Sequence, residues 1–89
     1  MGKAEDREIH DLLNGAFDQI ALDAFCGIQV PKRLIPFSYR TKYGIDNLWK
    51  YNFHKNWRLM YTIVGDGETV IALIIEWLQH KEYERRFRY

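Results

Sequence analysis

Eighty-nine residues bound the chain to one domain with a core of modest size, and a composition 47% hydrophobic and 16% aromatic excludes a disordered tail. A lone cysteine, Cys26, rules out an internal disulfide and fits a cytoplasmic setting. No apolar run approaches the roughly 18 residues of a membrane helix, no signal peptide is visible, and Asp6 stands where a myristoylation motif after Met1-Gly2 needs Ser or Thr.

The net charge is only +1, but its distribution is uneven. Residues 1–30 carry two Lys/Arg against six Asp/Glu, residues 31–60 carry seven against one, and residues 61–89 carry four against five. An acidic start beside a basic middle predicts a molecule with one cationic side.

From Glu5 to Phe25, Ile9, Leu12, Leu13, Ala16, Phe17, Ile20 and Ala24 fall at the three-and-four spacing of one helical stripe. Glu5, Asp6 and Glu8 favour the positive end of that helix. Gly15 lies on its polar side, Gly27 reads as the C-terminal cap, and Pro31 bars continuation. Pro31 and Pro36 bracket Lys-Arg-Leu-Ile, read as a short extended segment, and Gly44 to Asn47 reads as a turn.

Leu48–Phe53 then alternates, with Trp49, Tyr51 and Phe53 on one face and Lys50 and Asn52 on the other. After a turn at His54-Lys55-Asn56, Trp57–Val64 alternates again. Pairing Phe53 with Trp57 sets Asn52 opposite Arg58 and Lys50 opposite Met60, and gathers the large aromatics on the core face. Gly65-Asp66-Gly67-Glu68 is a hairpin signal, and Thr69–Leu78 is apolar on both faces, as a central strand covered on both sides would be. One cover is the helix; the other is expected from a partner chain. From Gln79 the chain turns charged and helical, with Tyr83 and Phe87 one turn apart. The expected fold is therefore α+β, a single domain over residues 1–89. A long amphipathic helix packs on an antiparallel meander of three to four strands, and a short C-terminal helix follows.

His10, His54, His80 and Cys26 lack ligand spacing, so no metal site is expected, and neither a phosphate loop nor a Ser/His/Asp motif appears. The chemistry-bearing set is Lys50, Arg58, His80, Lys81 and Tyr83. Lys50 and Arg58 project from the sheet face opposite the aromatics, where two cations can hold a phosphate and offset the charge that grows in phosphoryl transfer. His80 and Tyr83 can supply or accept a proton. Lys50, Arg58, Lys81, Arg85 and Arg86 are the candidate nucleic-acid contacts. A solvated, unemployed charged face is the plainer alternative.

Leu48-Trp49-Lys50-Tyr51, then Trp57-Arg58-Leu59-Met60-Tyr61, then an apolar strand and His80-Lys81-Glu82-Tyr83, follow one another as in the RelE/ParE toxin superfamily, which the chain resembles over about residues 5–89. The resemblance implies a RelE-like toxin of a toxin–antitoxin module: a metal-independent endoribonuclease without cofactor. Such an enzyme cuts mRNA on the ribosome by setting a ribose 2′-hydroxyl against the adjacent phosphate. A cognate antitoxin protein is the implied partner. Lys50 and Arg58 match the family's strand-borne basic residues, and His80, Lys81 and Tyr83 its C-terminal cluster; Asn52 stands where RelE-type nucleases often carry a second lysine. ParE-like members share the fold and act on DNA gyrase, so a non-catalytic binding module is the alternative, with a small oligomerising protein as a third. The family opens with a strand and helix that precede the helix seen here. An exposed sheet edge is therefore expected, and with it a homodimer or heteromer.

Overall fold

A computed structural model describes the backbone of residues 3–54, 56–65 and 67–87. Helix α1 spans Lys3–Leu22, strand β1 Ile28–Gln29, helix α2 Phe37–Tyr43, strands β2, β3 and β4 Trp49–His54, Trp57–Gly65 and Val70–Gln79, and helix α3 His80–Phe87. A 3-10 turn, Lys32–Leu34, lies between β1 and α2. The sheet is antiparallel throughout, in the order β1-β2-β3-β4. The class is α+β, with three helices on four strands among the described residues.

Two hydrophobic clusters occupy the two faces of this sheet. On one, Leu13, Ala16 and Ile20 of α1 bury against Phe53, Leu59 and Tyr61, with Trp49, Tyr51 and Trp57 packed around them. This is the helical stripe on the aromatic face that the two periodicities predict. On the other, Val30, Ile35, Tyr39, Leu48, Met60, Leu78, Tyr83 and Phe87 form a second cluster. The chain itself covers part of this face through the 3-10 turn, α2 and α3, over Met60, Ile75 and Leu78, while Val70, Ile71 and Leu73 of β4 stay exposed. An 89-residue chain gains a second core by folding its short helices over the face that alternation left half polar.

Several local expectations are corrected. The helix ends at Leu22, not Phe25, because the Asp23 side chain accepts from the Phe25 backbone N–H at 3.0 Å and turns the chain. Gly27 is consequently no cap. It lies where a Cβ would meet the Tyr61 hydroxyl at 2.5 Å and the Lys50 carbonyl oxygen at 2.6 Å, so it permits a close backbone approach. The Lys32–Leu34 segment is a 3-10 turn rather than extended. Helix α2, unanticipated, follows Pro36 as its N-cap and stops at Gly44, whose φ of 64° is the left-handed cap glycine favours.

Strand β4 is an edge strand rather than a central one. Val70, Ile71, Leu73 and Trp77 are each about half exposed, because the helices on both faces cover its neighbours more completely. The register Asn52↔Arg58 and Lys50↔Met60 is as expected, but His54 rather than Phe53 faces Trp57, and the pairing shifts between Asn52 and His54. Lys55 and Asp66, within the two expected turns, and the Met1-Gly2 start lie outside the described residues.

Asn47 lies just ahead of β2 and serves as a latch. Its side chain accepts from the Ile63 N–H (2.9 Å) and donates to the Ile63 carbonyl (2.9 Å). Thr62, buried on the opposite register, donates to the Asn47 carbonyl at 2.8 Å. The amide imitates one more ladder residue and holds β2 in phase with β3.

Candidate active site

Alternation turns Lys50 and Arg58 to the face away from α1, and the register makes them diagonal neighbours on β2 and β3. Helix α3 follows β4 without a loop, and the His80 backbone N–H donates to the Asn56 carbonyl at 2.6 Å. That bond pins the start of α3 to the β2–β3 turn, beside Arg58. Helical spacing then places His80, Tyr83, Glu84 and Phe87 along one side of α3. Tyr83 and Phe87 bury into the second core with their rings stacked at 4.4 Å.

Four of the five chemistry-bearing residues meet here. Lys50 Nζ donates to the Tyr83 hydroxyl oxygen at 3.0 Å and lies 5.0 Å from the ring centre. The Arg58 guanidinium lies 5.9 Å from the same ring. Its Nη1 donates to the Trp57 carbonyl at 3.2 Å, and its Nη2 is 3.3 Å from His80 Nδ1. His80 Nε2 is 2.7 Å from a Glu84 carboxylate oxygen. A guanidinium only donates, so Nδ1 must present its lone pair to Arg58, which assigns the imidazole proton to Nε2 and directs it at Glu84. Glu84 thus fixes tautomer and ring orientation, as a carboxylate does behind a general base.

Glu84 was not anticipated from the sequence, although its i,i+4 spacing from His80 on a helical segment was the available signal. Tyr83, only 4% exposed, is the platform on which both cations rest. Among the described residues no carboxylate forms an ion pair with Lys50 or Arg58, the two half-buried cations that flank the Tyr83 ring. Such a pair is suited to an anion with oxygens on two sides, as a phosphodiester has.

The remaining candidates lie elsewhere. Lys81 is exposed on the outer side of α3. Arg85 pairs with Glu82 at 3.2 Å, and Arg86 bonds both oxygens of Glu76 at 2.7 Å on the far flank of the helix. Beside that pair lies the buried Tyr39 hydroxyl, for which the geometry gives no hydrogen-bond partner among the described residues, and burial next to Glu76 pushes its ionisation above the ordinary phenol range. Among the described residues no three His, Cys, Asp or Glu side chains converge as a metal site would need, and no helix is long and apolar enough to cross a membrane.

On the α1 face, a groove of about 560 Å³ opens between the end of α1 and β4, lined by Phe17, Ile20, Leu22, Phe25, Val70 and Ile74 among others. Compared with protein-family models, with curated proteins and with solved structures, the chain matches none.

Proposed function

We propose that the chain is a RelE-like toxin of a toxin–antitoxin pair, an endoribonuclease that cuts mRNA during translation. The observation that carries this reading is the meeting of Lys50, Arg58, His80 and Tyr83 from β2, β3 and α3, residues that the motif order had already grouped. In the reaction, His80 Nδ1 takes the proton of a ribose 2′-hydroxyl, whose oxygen attacks the adjacent phosphorus. The bond to the 5′-oxygen breaks, and the products are a 2′,3′-cyclic phosphate and a 5′-hydroxyl. Arg58, leaving Nδ1 for the phosphate, and Lys50 offset the charge that grows on the non-bridging oxygens. The Tyr83 hydroxyl, whose oxygen accepts from Lys50, supplies the proton that the leaving 5′-oxygen needs. The balance requires no metal and no redox partner. A reducing, ribosome-containing cytoplasm is the setting this reading requires. The apolar groove between α1 and β4, on the face away from the cations, suits an amphipathic segment of an antitoxin.

A second reading, a module of the same fold that grips a phosphate without cutting, draws on one observation. Tyr83 is buried beneath Lys50 and Arg58, as a positioning residue would be. One experiment separates the two. Purified protein is added to a translated reporter mRNA and the new 5′ ends are mapped. Cleavage that falls about a hundred- to a thousandfold in Arg58→Ala supports the nuclease. Wild-type protein that neither cuts the message nor arrests growth on expression rejects it in favour of the binding module.

A further inference from the structure

The charge asymmetry of the sequence becomes an asymmetry of layers. The acidic α1 covers one face of the sheet, while the 3-10 turn and α2 lie on the other with Lys50, Arg58 and α3. From Pro31 to Ile45 there is no Asp or Glu. Lys32, Arg33, Arg40 and Lys42 are all exposed there, and among the described residues none pairs with a carboxylate. The arginines of α3 differ in this respect, since Arg85 and Arg86 are both paired with glutamates. Apart from Lys50, Arg58 and the exposed Lys81, the positive charge of this side with no carboxylate partner among the described residues is therefore concentrated on the 3-10 turn and α2.

Two further features give this surface a shape. Arg40 donates to the Lys32 carbonyl at 2.7 Å, which ties α2 to the 3-10 turn and holds their cations in one arrangement. Phe37, on the same side of α2 as Arg40, is 77% exposed, and its burial would recover the cost of leaving a large ring in water. Tyr43, one helical turn from Arg40, is also exposed, with Lys42 Nζ 5.4 Å from its ring. Cations that follow a backbone, with rings on which bases can stack, are the combination that binds single-stranded nucleic acid without sequence preference. The surface also adjoins the cluster, because Tyr39 of α2 contacts Phe87 at 5.8 Å and Phe87 stacks on Tyr83.

We infer that the 3-10 turn and α2 form a second binding surface for single-stranded RNA. Lys32, Arg33 and Lys42 contact phosphates and Phe37 stacks on a base, so that the strand is held as it passes the Lys50–Arg58 pair. The choice of RNA rests on the function proposed above; the surface itself rests on charge and exposure.

The test is binding, measured without ribosomes and apart from cleavage. A labelled single-stranded RNA of about 12 nucleotides is titrated by fluorescence anisotropy at several salt concentrations. Arg33→Glu and Lys42→Glu are each expected to weaken binding several-fold and to lower the salt slope by about 0.7 for each phosphate no longer neutralised. Phe37→Ala and Phe37→Leu are both expected to weaken it about five- to a hundredfold, since leucine keeps the apolar bulk but cannot stack. Arg7→Glu reverses the same charge on the α1 layer and is expected to leave binding within about twofold, because screening confines the effect of an exposed charge. All four sites are exposed, so unchanged circular dichroism is expected for every variant.

The inference is overturned if wild-type protein binds no RNA, if it binds duplex RNA as tightly as the single strand, or if Arg7→Glu weakens binding as much as Arg33→Glu and Lys42→Glu. Protein that binds through this surface yet cuts no translated mRNA upholds the surface and rejects the nuclease. Protein that cuts while all the surface variants bind normally does the reverse.

Discussion

Two alanine substitutions at glycines should move stability in opposite directions. In Gly27→Ala the new methyl would stand 2.6 Å from the Lys50 carbonyl and 2.5 Å from the Tyr61 hydroxyl. The carbonyl belongs to the β2 backbone and cannot swing aside. The hydroxyl is the far end of a fully buried side chain that donates to the Ala24 carbonyl at 2.7 Å and accepts from the Gly27 N–H at 3.1 Å. Either the segment around Gly27 moves off β2 or Tyr61 gives up both bonds. Overpacking of this kind costs about 1–3 kcal/mol, and each of the two broken hydrogen bonds adds roughly 0.5–1.5 kcal/mol, so a loss of about 2–6 kcal/mol is expected. In Gly15→Ala the methyl meets nothing within 4 Å on an exposed helical position, and lower unfolded-state entropy should add about 0.5–1 kcal/mol. Urea denaturation measures both. The midpoints should separate widely, with melting temperatures more than about 10 °C apart. Gly27→Ala at wild-type stability would refute the close approach of the Gly27 segment to β2, and a destabilised Gly15→Ala would refute the exposed placement of that residue.

Leu13→Ala should cost about 2–5 kcal/mol in chemical denaturation, and the half-buried Phe17, in edge contact with Trp77, should cost less on the same change. Tyr61→Phe leaves the Ala24 carbonyl and the Gly27 N–H without their partner and should cost about 1–3 kcal/mol by urea titration. Burial pushes the Tyr61 phenol from its ordinary value of 10.0 up to about 12, so the native state holds that proton more tightly than the unfolded chain. Its contribution to stability is present below about pH 10 and is lost as the pH rises through about 12, and urea midpoints should fall across that window. Light scattering should find self-association or a tight heteromer through the β4 edge, where Val70, Ile71 and Leu73 are exposed. A strict monomer at high concentration with no edge pairing would count against it. His80→Ala should lower message cleavage by about a hundredfold or more if Nδ1 is the base, while RNA binding measured by anisotropy stays near wild type.

The sequence by itself determined what depends on local period. The three-and-four stripe from Ile9 to Ile20 made α1, and the alternation of Trp49, Tyr51, Trp57 and Leu59 made the face it packs on; Asn52 faces Arg58 and Lys50 faces Met60 as expected, although His54 rather than Phe53 faces Trp57 and a shift in the pairing restores the phase. Motif order also grouped Lys50, Arg58, His80 and Tyr83, together with Lys81, which the fold leaves exposed on the outer side of α3. Phe37–Tyr43 carries a helix of only seven residues, too short for its periodicity to register, and it forms because Tyr39 finds a buried place against Phe87. Gly27 resembles any helix-ending glycine until Tyr61 and Lys50, distant in sequence, close on it. The apolar run Val70–Leu78 is compatible with a centre or an edge, and only the strand order makes it an edge. Whether a cation near Tyr83 stays available or is consumed in an ion pair also depends on tertiary structure. Arg86 meets Glu76 across the fold while Lys50 and Arg58 meet no carboxylate among the described residues, because helical phase and sheet register, set by packing over the whole chain, bring those charges together or hold them apart.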